Sequence, residues 1–203
     1  HAYSVACPTH KTLLVDKCGG CGHRLSDTRE EIDICPCGHH LPTNETKPAS
    51  QAQLWLASII ASRGTHSGHA LPTVADVELD LFSLLVRNLC QLHDPSLMVT
   101  RENAAAPRTI LEAVEFLKPL ESLLHDWPKG FEAHVRDRIA SGPTNARTLN
   151  TRLGKWYLRL REIGMDAALN PFLDAVHRLA AAEYSTVLAL DHVVGLAGRT
   201  KSH

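Results

Sequence analysis

Residues 7–41 read CPTHKTLLVDKCGGCGHRLSDTREEIDICPCGHHL, and the reading of this stretch decides the fold. It holds five of the chain's six cysteines and four of its 13 histidines. The pattern is C-x2-H at Cys7 and His10, C-x2-C at Cys18 and Cys21, and C-x-C at Cys35 and Cys37. A tetrahedral metal site takes two ligand pairs, each pair close in sequence. Disulfide frameworks spread their cysteines through a small chain, whereas these crowd one end of a 203-residue one. Glycines beside Cys18, Cys21 and Cys37 let backbone N–H groups turn toward a thiolate. A bound Zn2+ is therefore expected ahead of disulfides or of plain buried thiols.

Six candidate ligands exceed the four that close a site. Cys18, Cys21, Cys35 and Cys37 form the natural set, because the thirteen residues between Cys21 and Cys35 suffice for a small hairpin and return. Four thiolates leave no open position for a catalytic water, so the expected site is structural. Cys7 and His10 remain as a half-site. The favoured expectation is that a C-x2-C lies upstream of residue 1, which is a histidine, and that the chain is a piece of a longer one. The alternative is that the pair borrows Cys35 or Cys37, or one of His23, His39 and His40.

Beyond this stretch the text changes. The segment LPTNETKPAS at 41–50 separates a zinc-binding module, 1–46, from a helical domain, 47–203. TLLVD and EIDIC are the strand candidates of the first part, and no strand pattern follows residue 50. Ser50 with Gln53 predicts a capping box opening a helix that stops at Gly64. Thr73 with Asp76 opens a second, over about 74–92, with Val77, Leu81, Leu84, Leu85 and Leu92 as its apolar stripe. A third spans about 108–117 and is broken or kinked at Pro119. A fourth starts at Asp126-Trp127-Pro128 and runs to about Ile139. The fifth covers about 146–163, and Asn170-Pro171 caps a sixth that runs to about 182. The expected class is mainly α with a small zinc ribbon or knuckle module at the N-terminus.

Apolar residues are 44% and charged residues 21% of the chain, ordinary values for a globular protein. The net charge of -1 creates no global pull toward nucleic acid or membrane, so any such binding must come from a local patch. No apolar run approaches ~18 residues, so no membrane partner is expected, and no secretory leader is evident. G-x4-G-K-[ST], H-E-x-x-H and G-x-S-x-G are all missing, so no enzyme is indicated.

The strongest basic segment is NARTLNTRLGKWYLRLR, 145–161, with five cations and no acid. Leu149, Leu153, Trp156, Leu160 and Ile163 make its core stripe. Arg152, Lys155 and Arg159 line an adjacent face that, with Arg147, could touch phosphates. A solvated face accounts for the same residues. Trp156 is expected in the core rather than as a stacking platform, and Cys90 as buried packing. DTREEID, 27–33, is expected as a solvated hairpin tip. The remaining histidines, His66, His69, His93, His125, His134 and His177, are scattered and point to no ligand set.

The three ligand pairs also carry a family resemblance. Cys7-Pro8-Thr9-His10 with Leu14, Cys18 through Leu25, and Cys35 through Leu41 resemble the zinc-binding region of the TniQ/TnsD proteins of bacterial transposons. That family pattern adds an upstream C-x2-C, which this chain lacks. The match covers about a sixth of the chain. LLHDWPKGF, 123–131, resembles a Trp-Pro segment of such proteins. STVLALDHVVGLAGRTK, 185–201, is similar to a partial helix-turn-helix: Leu190 to Val194 as first helix, Gly195 as turn, Arg199 at the start of a recognition helix. A short helix with a glycine cap explains the same text. The resemblance implies a non-catalytic target-selection adaptor of DNA transposition, cytoplasmic and DNA-associated in a bacterium. It implies that the adaptor contacts DNA or a targeting complex, such as a CRISPR effector complex, and recruits an AAA+ transposition ATPase. Self-association is a further partner it allows. An unrelated zinc-ribbon regulator binding DNA or RNA is the competing expectation.

Overall fold

In the computed structural model, residues 2–25, 31–62, 71–72, 74, 77–93 and 107–184 are described. Two short strands, β1 (Ala6–Cys7) and β2 (Thr12–Leu13), pair antiparallel, with Ala6 opposite Leu13. Helices follow: α1 (Gln51–Ala61), α2 (Leu79–His93), α3 (Ile110–Leu124), α4 (Lys129–Ser141), α5 (Leu149–Leu153), α6 (Lys155–Ile163) and α7 (Asn170–Glu183). The described chain is thus mainly helical, with strand pairing confined to the cysteine-rich end. No helix among the described residues is long and apolar enough to cross a membrane.

The core is built where the helices cross. α2 packs on α3 and α6, α3 also on α1 and α4, and α7 on α4 and α6. At the centre lies an aromatic set. Phe172 sits 4.9 Å from Trp127, 5.7 Å from Phe131 and 6.4 Å from Trp55 by ring centroids, all edge-on. Such edge-to-face pairs add about 0.5–1.5 kcal/mol each beyond their area burial. The Trp-Pro pair of LLHDWPKGF supplies one of these rings, and its peptide bond is cis.

Local signals explain the element ends. Ser50 accepts the Gln53 N–H, and the Gln53 side chain returns to the Ser50 N–H, the capping box expected for α1. α2 begins at Leu79, later than expected, and its cap candidates Thr73 and Asp76 lie outside the described residues. Its buried stripe is Phe82, Leu85, Val86, Leu89 and Cys90, while Leu84 is 52% exposed. Of the expected stripe, Val77 and Leu85 are buried and Leu81 partly so, while Leu84 faces out, because α2 packs on both α3 and α6 and turns Phe82, Val86 and Leu89 inward as well. Cys90 is buried packing, and burial holds its thiol far above the ordinary range.

Pro119 neither ends nor limits α3, which continues to Leu124. An interior proline costs about 3 kcal/mol. Ala113 and Leu117 before it, and Leu120, Leu123 and Leu124 after it, are all buried, and their packing outweighs that cost. Asn170-Pro171 fills the first two positions of α7 rather than cap and first position, because a 3-10 turn at Ala167–Leu169 precedes them.

The cysteine-rich end is docked on the helices. Tyr3 and Val5 belong to the main core, and Tyr3 stacks on Phe116 with ring centroids 5.6 Å apart. The segment 41–50 is also packed rather than free. Leu13 donates to the Lys47 carbonyl at 2.8 Å and Ala49 to the Lys11 carbonyl at 3.0 Å, so it lines β2 as a third extended segment.

Candidate metal centre

Two knuckles build the site. In the first, Lys17 and Arg24 pair as an antiparallel bridge, and the Cys18 N–H donates to the His23 carbonyl at 2.9 Å. In the second, Ile34 pairs with His40, and the Cys35 N–H donates to the His39 carbonyl at 2.9 Å. Each turn closes through a glycine with positive φ, 73° at Gly22 and 85° at Gly38, a backbone that a Cβ would strain. The Gly20 N–H points at the Cys18 sulfur, 3.3 Å away, as the flanking glycines suggest.

The knuckles face each other and bring their thiols together. Cys18 Sγ lies 3.7 Å from Cys37 Sγ, and Cys21 Sγ lies 3.8 Å from Cys35 Sγ. All four ligand atoms fall within 4.8 Å of one another. A disulfide would bring sulfurs to about 2.05 Å, so these are four free thiols. Metal–sulfur bonds of about 2.3 Å in a tetrahedron place sulfurs about 3.8 Å apart, close to the two distances between the knuckles. Cys18, Cys21, Cys35 and Cys37 could thus hold a metal, as the ligand spacing predicts.

Electrostatics separates the thiols. Desolvation works to raise Cys18, but the N–H groups of Cys21 and Gly20 and the thiols of Cys35 and Cys37 outweigh it, bringing it down to about 6. The Cys37 N–H works to lower Cys35, but desolvation and the three neighbouring thiols push it up to about 12. The four thiols thus oppose one another's ionisation: once one is charged, the rest are harder to deprotonate. A cation among the four removes that opposition.

Asn44 ties the two knuckles together. Its Oδ1 accepts the Gly19 N–H of the first knuckle and meets His39 Nε2 of the second, each at 2.9 Å, and its Nδ2 donates to the Lys17 carbonyl at 3.2 Å. An acceptor oxygen requires the proton on His39 Nε2. Sequence reasoning left Asn44 in a linker. An amide five residues past a C-x-C-G-H pattern is the available signal, but its partners are set by the turn at Leu41–Thr43.

Cys7 and His10 stay apart from this group. Cys7 Sγ lies 3.3 Å from His10 Nδ1 across a tight turn, and His10 is exposed. Among the described residues, the four-cysteine group is the only set of three or more metal-ligating side chains, so the pair does not borrow Cys35, Cys37 or a nearby histidine.

The basic face expected over 145–161 is not one face. Gly154, at φ 65° and ψ -149°, breaks the expected helix into α5 and α6. The whole core stripe, Leu149, Leu153, Trp156, Leu160 and Ile163, is nonetheless buried, Trp156 included. Arg152 turns inward: its Nε donates to the Ile139 carbonyl at 2.7 Å and its Nη1 to the Pro143 carbonyl, satisfying the C-terminal end of α4. Arg159 lines a cavity of about 200 Å3 with Leu84, Arg87, Asn88 and Glu162. Arg147 and Lys155 are exposed. The DTREEID tip lies partly outside the described residues, as do His66, His69, Arg199 and all of 185–201.

Compared with protein-family models, with curated proteins and with solved structures, the chain matches none.

Proposed function

We propose that this chain is a non-catalytic adaptor of DNA transposition, of the TniQ/TnsD kind. In this reading the cysteine-rich end is a zinc ribbon, with Zn2+ held by Cys18, Cys21, Cys35 and Cys37. The ribbon engages target DNA or a targeting complex, and the adaptor recruits an AAA+ ATPase that engages the transposase. The observation that carries the reading is the closed four-thiol group, which sits in the motif that resembles that family. Zinc bound there supplies structure rather than a reactive position, since all four coordination sites are protein thiolates. A loop-rich segment with so little core gains its fold from such an ion. Docked through Tyr3 and Val5, it then offers a rigid surface to a partner.

The experiment is capture. The full chain, metal-loaded, is immobilised and offered a purified AAA+ transposition ATPase, with duplex DNA binding measured in parallel. Retention of the ATPase by the wild type, reduced on C18S/C21S substitution, is the expected result. Nucleic-acid binding with no ATPase capture would overturn the adaptor role and point to a zinc-ribbon regulator.

A further inference from the structure

We propose that Lys17, Arg24 and Arg108 form one contact surface for the phosphodiester backbone of duplex DNA. The proposal rests on the DNA-contacting role above and locates it at the seam between the first knuckle and α3.

Three segments distant in sequence meet here. Lys17 and Arg24 are opposed in the antiparallel bridge of the first knuckle. Residues so opposed project to one face with Cβ atoms about 5 Å apart, and like charges there are destabilising. Both side chains are exposed. Arg24 Nη2–H donates to the main-chain carbonyl of Arg108, itself an exposed cationic residue, so a third such residue borders the same seam. The seam is held by Asp16, which accepts the Ile110 N–H at 3.0 Å.

Two carboxylates at the seam accept main-chain N–H groups and keep their charge, so the three cations exceed them by one. Asp16 serves Ile110, and Glu112 accepts the Arg108 N–H at 2.8 Å. The ion pairs Lys118–Glu115, Lys129–Asp126 and Arg136–Glu183 lie elsewhere and do not include this cluster. The remaining positive charge at this surface favours an anion there. A nucleic-acid strand supplies anions in series, about 3.4 Å apart along the helix axis. The segment 145–161 offers no such convergence, since Arg152 is turned inward onto two carbonyls.

The same cations could instead neutralise the tetrathiolate of the metal centre, and one experiment separates the two roles. The metal-loaded full chain and its K17Q/R24Q/R108Q variant are titrated against a fluorescent duplex DNA at several salt concentrations, with a duplex RNA of equal length as second probe. Metal content is measured on the same samples. The expected result is a loss of at least about tenfold in DNA affinity and a salt slope reduced by about 2.7, near 0.9 per phosphate contact, with metal content unchanged. R147Q/K155Q should bind as the wild type does. Should the triple variant not fold, R108Q alone, which keeps the Arg108 carbonyl, should lower the slope by about 0.9. Unchanged DNA binding in the variant, loss of metal alone, or tighter binding of the RNA would each overturn the surface. A wild type that binds no DNA also overturns it. ATPase capture is scored separately, so the adaptor reading stands or falls on its own.

Discussion

The carboxylate of Asp16 accepts the N–H of Ile110 at 3.0 Å across 94 positions of sequence, joining the first knuckle to the first residue of α3. Thr109 accepts the Glu112 N–H at the same helix end, so two of its orphan donors are satisfied, one locally and one from afar. A carboxylate also suits the positive end of the helix dipole. Asp16→Ala should cost about 1 kcal/mol in chemical denaturation. The loss should be localised: amide exchange should rise at Ile110 and across 14–25 before it rises in α6. Unaltered exchange at both places would mean that the contact contributes nothing.

Metal removal should act unevenly. Chelation, or Cys18→Ser, should release the knuckles over 7–45 while α4, α6 and α7 keep their amide protection, because the central aromatic set contains no residue of that segment. Tyr3 and Val5 are part of the core, so a modest fall in helical stability should accompany it. Elemental analysis of the purified chain should give about one ion held at this site. Affinity should fall as pH falls, since protons compete for the thiolates. A chain that keeps its knuckle amide protection without metal would refute the site.

Gly154 is held at φ 65° and ψ -149°, a region open essentially to glycine alone, and a Cβ there meets nothing within 4 Å. Gly154→Ala should therefore cost about 1–3 kcal/mol from backbone strain alone, without a clash. Alanine also favours the uninterrupted helix that the apolar spacing of 145–163 invites. An unfolding midpoint equal to the wild type's would show that the break has another cause.

Asn88 is buried at the α2–α6 contact, where its Nδ2 donates to the Trp156 carbonyl at 3.4 Å and its own carbonyl accepts the Trp156 indole N–H at 2.8 Å. Its Oδ1 has no hydrogen-bond partner among the described residues. Asn88→Leu removes a weak donor together with that unsatisfied acceptor and should be nearly neutral, within about 1 kcal/mol. Asn88→Asp places a buried charge beside a carbonyl and should cost several times as much at neutral pH, the difference shrinking as acid neutralises it. Equal stabilities for the two variants at neutral pH would show that the site is open to water.

Local chemistry was legible wherever a few adjacent residues suffice. The capping box at Ser50, the cluster of four cysteines and the buried Trp156 each follow from spacing and residue type, and each is present. What the spacing misplaced depended on neighbours. The period of α2 puts Leu84 on the buried stripe, yet it is exposed while Phe82 and Leu89 are buried, because the elements on either side choose which face of an apolar helix is covered. Pro119 reads as a breaker in any local window, and only packing on both sides of it keeps α3 whole.

The sequence by itself therefore determined the four-cysteine cluster, most helix positions and the mainly helical class, because thiol spacing, caps and period are short-range properties. The tertiary structure alone decided that Asn44 and Asp16 are structural partners, that Arg152 points inward, and that Arg24 reaches the main chain at Arg108. These groups are polar, and a polar side chain takes whatever partner the fold brings within about 3 Å. No periodicity records which partner that is.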